Sequence, residues 1–208
     1  MITAKTSEKQ FDLVPSGNHL AICYQMIEIG TETVDFNGDV KKVHRVRIVW
    51  ELSNEKKVFD PAKGEQPYSI GKDYTLSMHE KATLRHDLQS WRGKAFTDDE
   101  AGSFDITKLI GKPCMLNVIH RTSKNGGTYA NIAGVTAVPK GMNVPSQVNP
   151  SFVFSFDDWN DSKFATFPEW LRKRIEATPQ FKQRLEGPPI GDEPIFDTKE
   201  DDGSDLPF

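Results

Sequence analysis

Six basic side chains gather near two short turns. Lys41, Lys42, Arg45 and Arg47 follow a turn at Asn37-Gly38, and Arg121 and Lys124 flank another at Asn125-Gly126-Gly127. Cations so placed neutralise phosphodiesters, and rings beside them stack on unpaired bases at about 1 to 3 kcal/mol each; single-stranded nucleic acid requires both. The candidate rings are Tyr24, Phe36, Tyr74 and Tyr129. Tyr24 is in phase with Leu20, Ile22 and Met26, which favours core packing as much as stacking. Tyr129 is out of phase with Ala130 and Ile132, and Phe36 stands at a hairpin tip with no packing duty, so these two are the better platforms. For Arg45 and Arg47 the competing reading is a solvated outer strand face. Trp50 and Trp91 are in phase with apolar neighbours and read as core.

Catalytic readings find less support. His79-Glu80 lacks the second His of a zinc protease helix, and Glu80 is explained as the cap partner of Ser77. Asn125-Gly126-Gly127 is followed by no Lys-Ser/Thr pair and reads as a hairpin turn rather than a phosphate loop. Asp98, Asp99 and Glu100 open a helix, where acids complement the dipole. The expectation is a protein with no active site, metal or cofactor.

The elements that must position these groups are mostly strands. Leu20 to Phe36 forms a long strand with Gly30 at a bend, and Asn37-Gly38 marks a type I′ hairpin. Val43 to Leu52 returns with His44, Val46, Ile48, Trp50 and Leu52 on its apolar face and Arg45 and Arg47 on the other. A Pro- and Gly-bearing loop, 53–66, leads to a third strand over about Tyr68 to Ser77. Ser77-Met-His-Glu80 predicts a capping box opening a helix with Leu84, Leu88 and Trp91 on one face. Thr97-Asp-Asp-Glu100 is a second capping box. Strands at Cys114–Arg121 and Tyr129–Val135 close the series. Five strands with a helix between the third and fourth is the order of an OB-fold, a small barrel that commonly binds oligonucleotides between its β1–β2 and β4–β5 loops. In that barrel the six cations would line one cleft.

The fold class is therefore mainly β with helices (α+β). Residues 1–138 form the barrel. Residues 139–186 hold a Pro-rich linker (139–150), an aromatic strap (Phe152, Phe154, Phe156, Trp159) packing back on the barrel, and a C-terminal helix opened by a third capping box, Thr166-Phe-Pro-Glu169. That helix would bury Phe167, Trp170, Leu171 and Ile175. From 187 on, Pro, Gly and acid predict a disordered tail.

Charge divides along the same boundary. The 208 residues carry a net charge of −4, yet the final 18 hold seven acids against Lys199, a net of −6, which leaves +2 on residues 1–190. An overall acidity that argues against phosphate binding thus belongs to one terminal block. Cys23 and Cys114 lie in apolar strands and read as reduced core thiols. No 18-residue apolar run and no N-terminal signal segment occur, so the expectation is a cytoplasmic protein that meets no membrane.

The last residues, Asp201-Asp-Gly-Ser-Asp-Leu-Pro-Phe208, form an acidic segment ending in an apolar pair, the makings of a peptide ligand. They resemble the C-terminal tip of bacterial single-stranded DNA-binding proteins, in which acids precede a closing Asp-Ile-Pro-Phe. Asp205, Leu206, Pro207 and Phe208 match position by position, with Leu for Ile, and Asp201 and Asp202 supply upstream acids. The body, over Lys42–Leu52, Glu80–Arg92 and Gly111–Ile132, resembles phage-encoded single-stranded DNA-binding proteins. The resemblance implies DNA held by Phe36, Lys41, Lys42, Arg45, Arg47, Arg121, Lys124 and Tyr129. It also implies replication, recombination or repair partners recruited by the tip, and a host-cell cytoplasmic location. A homo-oligomer is compatible with the sequence. So are an adaptor that uses the tip without holding DNA, and an RNA-binding module.

Overall fold

The computed structural model describes residues 12–36 and 38–186. It is mainly β. Strands β1 (Gly17–Phe36), β2 (Asp39–Asp60), β3 (Gly64–Thr75), β4 (Pro113–Thr122) and β5 (Thr128–Thr136) form an antiparallel sheet in the order β3-β2-β1-β4-β5. The sheet curls until β3 and β5 meet, with helix α1 (Thr83–Arg92) packed against both. Along β2 the even residues Val46, Ile48, Trp50 and Leu52 point into the curl. There they join Ala21, Cys23 and Met26 of β1 and Leu84, Leu88 and Trp91 of α1 in the main core.

Two bulges bend β1, between Cys23 and Gln25 and between Glu28 and Gly30. Gly30 has φ +100°, and a Cβ there would come within 3.0 Å of the Phe156 and Thr178 side chains. The glycine thus serves a backbone conformation and a close approach at once. The first bulge also explains Tyr24. Leu20, Ile22 and Tyr24 share the outer face of β1, and Met26 reaches the inner core because the extra residue shifts the phase. Both cysteines are buried and unpaired, and burial pushes the Cys23 thiol up to about 12.

Several expected elements differ. The loop expected over 53–66 is instead a continuation of β2 to Asp60, a tight turn and the start of β3, with Lys56, Lys57 and Val58 paired to Pro67, Gln66 and Glu65. This extension projects past the core, so backbone pairing holds it and no apolar alternation marks it. The capping box at Ser77 does not form: α1 begins at Thr83 behind Ala82, and the Ser77 hydroxyl accepts the His79 N–H within a turn. Buried Arg85 secures this end by donating to the Met78 and Phe96 carbonyls and to Asp98. The Thr97–Glu100 capping box is present and opens α2 (Asp98–Gly102).

The C-terminal segment is a built layer on the outer face of the sheet. Its supposed linker is fastened by Glu51, a fully buried carboxylate accepting the N–H groups of Val148 and Asn149 and the Asn149 side-chain amide, each at 2.7 Å. The aromatic strap becomes β6 (Phe152–Phe154), parallel to β1 at Gln25–Ile27. Three short helices, α3 (Asp161–Ala165), α4 (Glu169–Glu176) and α5 (Pro179–Glu186), replace the single expected helix. Thr166 donates to the Lys163 carbonyl at the end of α3 and caps nothing on α4, whose first turn follows Pro168. Phe154, Phe167, Leu171 and Ile175 close a second core over Ile27 and Ile29. No helix among the described residues is long and apolar enough to cross a membrane.

Candidate nucleic-acid interface

Strand pairing places Arg121 directly opposite Tyr129. Opposed residues share a face with Cβ atoms about 4.5 to 5.5 Å apart, so a guanidinium and a phenol ring are presented together. Tyr129 is 43% exposed and Arg121 lies open. Lys124 sits in the adjoining turn, closed by the Ser123 and Gly127 backbones. Among the described residues no carboxylate pairs with Arg121 or Lys124, nor with Lys41 and Lys42 on the β1–β2 hairpin, where Lys41 faces Val34 and Lys42 faces Thr33.

In the sheet these cations stand at opposite ends of β1. β4 pairs with the first residues of β1, Gly17 opposite Val118, so the β4–β5 turn projects from one end of β1 while the β1–β2 hairpin lies at the other. Between them, Arg45 and Arg47 are already paired. The Arg45 Nε lies 3.2 Å from Glu32, and Arg47 donates to Asp73. Arg174 of α4 bridges both acids, at 2.9 and 3.1 Å to Glu32 and 2.7 Å to Asp73, and its hydrogen bonds to Glu32 hold its guanidinium even more firmly protonated than usual. Odd positions of β2 face outward, and outward is where α4 lies. Gly71 makes this possible, since a Cβ at that position would fall 2.7 Å from the Arg47 Nη2.

Of the remaining rings, Tyr74 is buried and donates to Asp87 at 2.7 Å; desolvation and that neighbouring carboxylate push its phenol far up, and it offers no platform. Half-buried Tyr24 donates to the Ser69 hydroxyl. The Phe36 side chain and the tip residues Asp201, Asp202, Asp205, Leu206, Pro207 and Phe208 lie outside the described residues. Two exposed rings escaped the sequence reading. Phe59, on the β2 extension that read as loop, is 51% exposed and meets Tyr68 edge-on at 5.0 Å. Trp170, expected in the core, is 46% exposed with the Arg47 guanidinium 5.0 Å over its ring. The available signal was Arg174 four residues on, which sets Trp170 on the charged side of α4 rather than on the Leu171–Ile175 side.

Among the described residues no group of three or more His, Cys, Asp or Glu is arranged to hold a metal ion. No protein-family model matches the chain, and no curated protein matches it.

Proposed function

We propose that this chain binds single-stranded DNA without sequence preference and recruits replication, recombination or repair proteins through its acidic C-terminal tip. The observation that carries the reading is the exposed Arg121–Tyr129 pair with Lys124 beside it, a cation-and-ring surface free of competing carboxylates among the described residues. The curled five-stranded sheet with a helix after its third strand supports an OB-like barrel, a fold that suits oligonucleotides. Backbone charge and ring stacking do not read base edges, so sequence preference is weak.

The tail adds opposing charge. Its 18 residues span up to about 60 Å at ~3.3 Å each, enough to reach the barrel and compete with phosphates for its cations. Deleting 191–208 is expected to tighten binding of fluorescent oligo-dT several-fold at low salt and to abolish partner recruitment. Weaker binding after deletion would contradict the competition, and no binding by either form would overturn the function.

A further inference from the structure

Two open clefts meet at the guanidinium network under α4. One, of about 560 Å³, lies between Thr31–Thr33 of β1 and the helices, with Lys173, Arg174 and Lys182 on its wall. The other, of about 420 Å³, is lined by Arg45, Asp73, His79 and Lys81. Glu32 and Arg174 belong to the first and Arg45 and Asp73 to the second, and the ion pairs among these four residues form the partition.

Charge on this surface is one-sided. Within the network three guanidinium groups, those of Arg45, Arg47 and Arg174, face two carboxylates, Glu32 and Asp73. Exposed Lys81 and Lys182 have no acidic partner among the described residues, and Lys42 pairs across the ladder with Thr33, which lines the first cleft. Trp170 stands over the network, 5.0 Å from the Arg47 guanidinium and 5.9 Å from that of Arg174, with nearly half its surface open. A ring seated on guanidinium groups and left nearly half open to solvent can stack a base while lysines of the adjoining clefts take the flanking phosphates.

We infer that α4 and α5 supply a second single-stranded DNA contact, with Trp170 as its base platform and Lys81 and Lys182 as its phosphate ligands. The inference rests on the DNA-binding reading. It turns the C-terminal layer from a cover over the sheet into part of the binding surface, and it gives the free cations of the β1–β2 hairpin a continuation across the helices.

The test uses the full chain and oligo-dT at low salt. Trp170→Ala is expected to weaken binding about 5- to 50-fold, and Trp170→Phe, which keeps a ring, to recover most of the loss. Oligo-dT should quench intrinsic fluorescence in the wild type and much less in Trp170→Phe, because Trp50 and Trp91 are buried and half-buried Trp159 packs among Phe154, Phe156, Phe164 and Phe181. Lys81→Ala with Lys182→Ala should reduce the salt slope by about 1.4. Unchanged affinity and quenching in the Trp170 variants, with wild-type binding intact and still sensitive to Tyr129→Ala, would overturn the inference and leave the function standing. Absence of wild-type binding would overturn the function itself. Tighter binding of oligo-U with the same dependence on Trp170 would overturn the assignment to DNA.

Discussion

Replacing Arg121, Lys124 and Tyr129 together with Ala is expected to lower oligo-dT affinity on the order of 100-fold at low salt, the ring accounting for about 1 to 3 kcal/mol and the two phosphate contacts for the rest. All three side chains are exposed, and the β4–β5 ladder that carries them is held by its backbone from Met115–Thr136 to Thr122–Thr128. The thermal midpoint should therefore stay within a few degrees of the wild type. Anisotropy titration of a labelled oligonucleotide checks the affinity and a melting curve checks the fold. A loss under threefold with the fold intact would remove the observation on which the function rests.

The largest stability effect is expected at the second core. Phe154 is 1% exposed and its ring meets those of Trp159 at 4.8 Å and Phe167 at 5.0 Å, while its backbone pairs β6 to Ile27. Phe154→Ala removes the ring that joins strap, helices and sheet, and large-to-small changes of this kind cost about 3 to 5 kcal/mol. In urea, either the single transition moves down by that amount or the layer 147–186 melts first as a separate transition. A loss below about 1 kcal/mol would show that the layer holds without its central ring. Glu51 provides the second anchor, and it explains why the Pro-rich stretch is not a free linker: three N–H donors leave that buried carboxylate well satisfied.

Strand positions with regular alternation were legible in the sequence. The inner face of β2, the Gly30 bend, the β4–β5 hairpin and the Thr97–Glu100 cap all follow from local pattern and turn chemistry. Local pattern does not report what lies across a face. Arg45 and Arg47 alternate as exposed cations should, yet Glu32 of β1 and Asp73 of β3 pair with them, and Arg174 of α4, 142 residues along the chain from Glu32, joins both acids. Likewise the bulge after Cys23 puts Met26 on the opposite face from Leu20, Ile22 and Tyr24, and one inserted residue leaves no mark in hydrophobic periodicity. The capping boxes at Ser77 and Thr166 have the right residues at the right spacing, but Arg85 and Pro168 place the helix starts elsewhere. The same long-range packing that hides Arg45 and Arg47 leaves Trp170 open.

The most direct test of phosphate neutralisation as the basis of function is a salt titration of oligo-dT binding by the tail-deleted chain. Four to six contacts at about −0.7 each predict a log–log slope between about −2.8 and −4.2. A slope near zero, or no binding at the lowest salt, would contradict the account.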